Sequence, residues 1–377
     1  MIYNNINDSI LTAQSFISSK THLKAIDADS NILFLDKNEN KLGCSPNVIS
    51  SIRQSTLNNI SNYPDDSCIQ LKKKLAHHFA LNHSNFLVTN GSIEALDIIF
   101  KTFKMNKIIV PNFTYWAYEA FAKIHNQDVF KIPLEDDFSI DIYKLIDKAK
   151  KEKESSIIFL CNPNNPTGKL VSYEEIAMLL ESLRDSLIVI DEAYAEFART
   201  SSTNLIKEYN NLIVIKSFSK AYGLAGLRIG YAVAAEEIIR FLSYSQIPFS
   251  VSSIAQIAAD AALDDQEYLT YVVDYTEENR KMLQKELMKF QSIETIPSTA
   301  NFILTKLEIT KAVDLFNFLL NNKVVVRLFK QDTNLFNFIR ISLGTEKDNQ
   351  YLISLLSRFQ HQLTNQGNTS SMKSEIS

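Results

Sequence analysis

The densest chemistry in the chain lies in Lys216-Ser217-Phe218-Ser219-Lys220-Ala221-Tyr222-Gly223-Leu224-Ala225-Gly226-Leu227-Arg228-Ile229-Gly230-Tyr231. Ser217 and Ser219 offer hydroxyl donors. The spaced glycines let backbone approach a ligand closely, and Arg228 can fork onto an oxyanion, so the set suits a bound phosphate. Lys220 sits inside that cradle, where desolvation and a nearby cation would lower its pKa and make it a nucleophilic amine. A phosphate-bearing aldehyde held by Lys220 as a Schiff base would use every one of these residues, and pyridoxal 5'-phosphate is such an aldehyde. The bland alternative is a surface turn with a solvated lysine.

Other candidates stand where apolar runs end. Asn85 to Thr89 reads as a strand that Gly91 breaks, with a helix starting at Ser92 and Ile93. A helix start offers backbone N–H groups to a phosphate. Lys107 to Val110 leads into the aromatic loop Pro111-Asn112-Phe113-Thr114-Tyr115-Trp116, at a strand end where α/β folds place ligands. There Tyr115 either stacks on a flat ring or packs on the core. Ile157 to Leu160 leads into Cys161-Asn162-Pro163-Asn164-Asn165-Pro166-Thr167-Gly168, a loop stiffened by two prolines that would hold an asparagine amide in place. Leu187 to Ile190 ends in Asp191-Glu192-Ala193-Tyr194. A carboxylate after four buried positions is costly unless paired, and a cofactor cation would pair it; a capping aspartate is the alternative.

These elements imply a mostly parallel sheet with helices on both faces, since strands and helices alternate from about 46 to 245. Leu212 to Ile215 is a further buried strand. Ser45-Pro46 opens a helix with a good N-cap and a proline in the first turn. Asn62 to Asp65 reads as a turn carrying Tyr63. Ala255 to Leu263 and Tyr271 to Phe290 read as helices. Ile32–Leu35 reads as a short strand, and beyond the helices Ala300–Leu304, Val324–Leu328 and Phe338–Leu343 read as strands of a smaller α/β unit that the N-terminal segment completes. The expected divisions are 1–45 as an N-terminal arm and part of the small domain, 46–260 as the large domain, 261–363 as the small C-terminal domain, and 364–377 as a frayed tail.

Composition excludes several classes. Charged residues make up 22% and hydrophobic residues 45%, as in ordinary globular chains. The net charge of -4 is too slight to imply a nucleic-acid or membrane partner. The first residues carry no basic segment ahead of an apolar one, and no apolar run approaches a membrane span, so a cytoplasmic location is expected. The separated Cys44, Cys68 and Cys161 argue for a reducing compartment without structural disulfides, and no metal site is expected. His77, His78 and His83 read as a solvated basic face.

Taken together, from about residue 32 to 350, these stretches resemble the fold-type I pyridoxal-phosphate enzymes of the class I/II aminotransferase group, and within it the histidinol-phosphate aminotransferase family. The resemblance rests on Asn38-Glu39-Asn40, Tyr63-Pro64-Asp65, Asn164 to Gly168, Asp191 to Tyr194, Ser217 to Lys220 with Gly226-Leu227-Arg228, Ala300-Asn301-Phe302, and Arg340 to Thr345. It implies a large domain with a seven-stranded, mostly parallel sheet and a smaller α/β C-terminal domain. It also implies a homodimer in amino-acid biosynthesis that moves an amino group between an amino acid, or an amino alcohol phosphate such as histidinol phosphate, and a 2-oxo acid by a ping-pong mechanism.

By the same resemblance Lys220 carries the cofactor and moves the proton at the substrate Cα. Asp191 pairs with the pyridine nitrogen, and Asn165 and Tyr194 donate to the ring oxygen. Tyr115 stacks on the ring. Ser92, Ile93, Ser217, Ser219 and Arg228 hold the phosphate, with Tyr63 reaching in from the other subunit. Arg340 holds the substrate carboxylate or its equivalent, with Asn40 and Asn165 beside the substrate, and Arg327 matches a family arginine that reaches the distal anion.

The chain departs from the family in two places. Ser18 to Ala28 lacks the Tyr-x-Pro-Gly segment that helps grip the distal phosphate, and Lys330 to Asn337 replaces a Gly-rich loop. Histidinol phosphate is therefore one donor among several. The competing activity is a lyase resembling threonine-phosphate decarboxylase, which uses the same lysine and aspartate. An aminotransferase-like effector domain of a transcription regulator would need a DNA-binding module, for which the roughly 30 polar residues before the fold leave no room.

Overall fold

The computed structural model describes residues 32–55, 61–105, 107–151, 155–329 and 335–374. The expected N-terminal arm and most of the Lys330 to Asn337 segment lie outside them. In chain order the strands are β1 (Leu33–Leu35), β2 (Phe86–Thr89), β3 (Lys107–Pro111), β4 (Asp128–Ile132), β5 (Ser156–Cys161), β6 (Leu187–Asp191), β7 (Leu212–Ser217), β8 (Gly230–Ala234), β9 (Glu294–Ile296), β10 (Phe302–Lys306), β11 (Val324–Leu328) and β12 (Phe338–Ser342). The described residues divide into two units, 42–273 and 32–41 with 274–374.

The first unit is built on a seven-stranded sheet of order β2-β8-β7-β6-β5-β3-β4. Neighbours from β7 to β4 pair in parallel, and β8 runs antiparallel to both β7 and β2. Every residue of β5, β6 and β7 is buried, as expected of strands covered on both faces, whose sequences read as unbroken apolar runs. Two strands of this sheet escaped the sequence reading. β4 is an edge strand with exposed Asp128 and Lys131, which break its apolar signal. β8 is Gly-Tyr-Ala-Val-Ala, too short and small-sided to stand out.

Local signals open the helices that cover this sheet. Ser45 Oγ accepts the Asn47 N–H at 3.0 Å as helix Pro46–Ser55 begins. Ser172 and Glu175 form a capping box at helix Tyr173–Ser182. Helix Ser253–Asp264 buries Ala255, Ala258, Ala259 and Ala262 in the first unit's core. The expected border at 260 and 261 falls inside that helix, and the chain divides into its two units at Val273 and Asp274, within helix Gln266–Leu287.

The second unit has a five-stranded sheet of order β1-β11-β12-β10-β9. Only β1 and β11 pair in parallel; the other neighbours are antiparallel. Leu35, Ile303, Val324, Val326, Ile339 and Ile341 form its core with Leu315 and Leu319 of helix Ile309–Asn321 and Leu352, Leu355 and Leu356 of helix Glu346–Ser374. That last helix continues to Ser374, past the point at 364 where fraying was expected. Extending a formed helix adds one hydrogen bond per residue without a new nucleation cost. Among the described residues no helix is long and apolar enough to cross a membrane.

Candidate active site

Apart from Tyr63, the candidate residues of the first unit converge at the carboxyl ends of β5, β6 and β7, with helix Ser92–Thr102 alongside. Gly91, at φ +76°, turns the chain from β2 into that helix. A Cβ there would stand 2.6 Å from Arg228 Nη2, so only glycine lets the guanidinium lie against the helix start. A Cβ on Gly230 would meet the Ser92 backbone nitrogen at 2.8 Å and the Lys216 carbonyl at 2.7 Å. The two glycines thus bring Arg228, the Ser92–Ile93 helix start and the end of β7 together. There Ser217 pairs in register with Gly230, and Ser217 Oγ accepts the Ser219 N–H at 3.1 Å. A helix N-terminus, hydroxyls and a guanidinium so arranged are groups that suit an anion such as a phosphate.

Asp191, the last residue of β6, is 3% exposed. Its Oδ2 accepts the Tyr118 hydroxyl at 2.9 Å and its Oδ1 accepts the Ala193 N–H at 3.1 Å. Both donors are neutral. Burial pushes the Asp191 carboxyl up to about 6, against the lowering effect of these bonds and of nearby Lys220. A carboxylate in this state gains from a cationic partner such as a pyridinium.

The loops around it are pinned. Asn164 Nδ2 donates to Phe113 O at 3.0 Å and to Thr167 Oγ1 at 2.9 Å, while Thr114 Oγ1 donates to Asn164 Oδ1 at 2.8 Å. The expected stiff loop is therefore tied to the aromatic loop that carries Tyr115. The Asn162–Pro163 and Asn165–Pro166 bonds are both cis. Asn165 Nδ2 lies 3.4 Å from Tyr194 Oη, and Lys220 Nζ lies 5.6 Å from the Tyr194 ring centre. Burial, followed by neighbouring Tyr194 and Asp191, pushes the Tyr115 phenol up, so it stays neutral.

Tyr63 is 82% exposed and its ring lies 4.8 Å from that of Phe249. Asn40, Arg327 and Arg340 belong to the second unit. Arg340 is buried, donates to Asp36 O at 2.6 Å and lies over the Phe302 ring. In the same unit Asn38, with φ 56°, is held by Ser342 and by Asn301, which fixes the turn leading to Asn40.

Sequence reasoning missed Tyr118. It is wholly buried, its ring stacks on Phe159 at 5.0 Å, and it meets Tyr115 edge-on at 5.6 Å. Its signal was the spacing of three from Tyr115 at a helix start, which turns both toward one side. It also missed the buried pairing of Lys216 with Glu192 and Glu196. A lysine directly following four apolar strand residues was the available clue.

The donor set fits pyridoxal phosphate on its own geometry, with an anion cradle at one end and a buried carboxylate at the other. The chain belongs to the class I and II aminotransferases: the family model "Aminotransferase class I and II" matches residues 30–356. It is a pyridoxal-phosphate-dependent aminotransferase, as its fold and site define. The histidinol-phosphate aminotransferase of Ruminiclostridium cellulolyticum is 32% identical over 85% of this chain and 91% of its own length. The histidinol-phosphate aminotransferase from Sinorhizobium meliloti, solved in complex with pyridoxal-5'-phosphate, shares the fold with a TM-score of 0.87 at 24% identity, over 95% of this chain and 98% of that one. The L-threonine-O-3-phosphate decarboxylase from Porphyromonas gingivalis matches with a TM-score of 0.78 at 26% identity, over 87% and 99% of the two chains.

Proposed function

We propose that the enzyme takes its amino group from a phosphate-bearing amino alcohol of the histidinol phosphate kind and passes it to a 2-oxo acid. The observation that carries this reading is the register of β11 and β12, in which Arg327 lies directly opposite Arg340. Like charges facing each other across a ladder are unfavourable by themselves and favourable around a shared anion. Arg340 holds the donor's phosphate or the acceptor's carboxylate, Arg327 assists at the distal anion, and Asn40 lies beside the substrate.

Pyridoxal phosphate supplies an electron sink for charge developing at the substrate Cα. The chain's own residues do the rest. Lys220 takes and returns the proton at the substrate Cα, as a base held in place by the turn after β7. Asp191 keeps the proton on the pyridine nitrogen. Asn165 and Tyr194 donate to the ring oxygen, and Tyr115 covers the ring face. Ser92, Ile93, Ser217, Ser219 and Arg228 bind the phosphate. The exposed pair Tyr63 and Phe249 supports a homodimer in which Tyr63 completes the partner's phosphate site. That Cys44, Cys68 and Cys161 form no disulfide among the described residues supports a cytoplasmic setting.

The deciding experiment is an absorbance scan of the pyridoxal-phosphate-loaded enzyme mixed with single donors, including histidinol phosphate, phosphothreonine, glutamate and aromatic amino acids. Conversion of the bound cofactor to its amine form by histidinol phosphate, with a carbonyl product, is expected. Carbon dioxide release from phosphothreonine would instead establish the decarboxylase reading that the Porphyromonas gingivalis neighbour favours.

A further inference from the structure

Beside the candidate site lies a buried ionic cluster that the chemistry above does not use. Lys216 and Glu192 are 4% and 1% exposed. Lys216 Nζ lies 3.0 Å from Glu192 Oε2 and 3.1 Å from Glu196 Oε1. Glu192 Oε2 also accepts the Ser201 hydroxyl at 2.6 Å, and its Oε1 accepts the Ser202 N–H. Phe79 lies under the ammonium at 5.9 Å, and His78, Tyr222 and Tyr231 are the other titratable neighbours.

The cluster's position gives it a use. Glu192 follows Asp191, and Lys216 precedes Ser217 and Lys220. Side chains alternate along a strand, so Asp191 turns toward Tyr118 while Glu192 turns toward Lys216. The Glu192 N–H bonds to Ile215 O at 2.8 Å, joining the ends of β6 and β7. Past this bond the two chains diverge, one into helix Ala195–Ala198 and the other into the turn that carries Lys220. Apolar side chains would fill the same space without a desolvation cost. An ionic trio adds direction, because charge-assisted contacts tolerate little displacement.

We propose that Lys216, with Glu192 and Glu196, is a positioning clamp that holds the ends of β6 and β7 at one spacing and so sets Asp191 against Lys220. The clamp rests on the reading of those two residues as the cofactor's partners. It acts through them and touches neither cofactor nor substrate.

The test uses the full chain and a volume-matched neutral triple variant, Lys216→Met with Glu192→Gln and Glu196→Gln, beside Lys216→Arg and Glu196→Gln singly. Three quantities are read: the melting midpoint of the cofactor-free chain, the pyridoxal phosphate dissociation constant, and the pH midpoint of the bound cofactor's visible band. If the clamp sets the site, the triple variant melts close to the parent but binds pyridoxal phosphate about tenfold more weakly, with a displaced pH midpoint, and kcat falls by up to about a hundredfold. Lys216→Arg, which keeps the charge, retains most of the parental affinity. A purely structural cluster would lower the melting midpoint and leave the dissociation constant and pH midpoint at parental values, which overturns the proposal. Should the triple variant not fold, Glu196→Gln decides: a two- to fivefold loss of affinity, roughly, supports the clamp, and parental values on both cofactor readouts refute it. Lys220→Ala separates the underlying reading. Full turnover in that variant removes the reading and the clamp together. Its loss, beside parental cofactor readouts in the cluster variants, removes the clamp alone.

Discussion

Replacing Tyr118 with Phe removes one buried hydroxyl and leaves its ring stacked on Phe159. With it goes the bond from Tyr118 to Asp191 Oδ2 at 2.9 Å, beside a contact with Cys161. A hydrogen bond to a charged acceptor contributes about 1.5–3 kcal/mol, against about 1 kcal/mol to a neutral one. The bond thus favours the ionised carboxyl by on the order of 1–2 kcal/mol, or about one pH unit. Its loss raises a carboxyl already near pH 6 in the cofactor-free chain toward roughly 7. In the proposed site the ionised form of Asp191 pairs with the cofactor's protonated pyridine nitrogen, so binding to the cofactor-free chain should weaken as pH falls through that value. The assay is the pyridoxal phosphate dissociation constant at half-unit steps from pH 5 to 8, by equilibrium dialysis, in the parent and in Tyr118→Phe. The cofactor's own titrations are common to both proteins and cancel in the comparison. The variant's midpoint should lie about one unit higher, with the affinities converging toward pH 8. Asp191→Asn should lose this step altogether. A midpoint unmoved in Tyr118→Phe, or moved downward, would refute the assignment of Tyr118 as the residue that tunes Asp191.

Other outcomes follow from the same geometry. The Asp191 carboxyl is raised from 3.8 to about 6, so between those values the cofactor-free folded chain keeps a proton that the unfolded chain has released. Its stability relative to Asp191→Asn should therefore fall as pH rises from about 4 to 6, by roughly 3 kcal/mol in urea unfolding; a flat or rising difference would contradict the burial argument. Gly223→Ala places a Cβ against the Gly43 carbonyl at φ +71°, a backbone contact that no side-chain motion relieves. It should cost more than about 2 kcal/mol, read as a lost or strongly lowered melting transition. Arg327→Gln should raise KM for a phosphate-bearing donor about tenfold or more while leaving the melting midpoint unchanged or higher, because it removes a like charge opposite Arg340. An unaltered KM in that variant would separate Arg327 from the substrate.

Sequence alone determined whatever is written in contiguous residues. The buried central strands β5, β6 and β7 are legible because strands covered on both faces must be apolar throughout. The close approach of Arg228 and the end of β7 to the Ser92–Ile93 helix start is legible because such an approach demands glycine, and Gly91 and Gly230 stand where a Cβ would collide. Asp191 is legible because a carboxylate ending an apolar run must have a reason to be there. Tertiary structure decided everything that depends on what meets across the sheet. The edge strand β4 and the small-sided β8 carry too little apolar signal to be read, and only pairing defines them. Tyr118 reaches Asp191 across 73 positions of chain, and Lys216 reaches Glu192 across 24. The opposition of Arg327 and Arg340 is a matter of strand register. Local sequence sets propensity, burial pattern and backbone conformation; which buried polar groups satisfy one another is settled only when the strands and helices have packed.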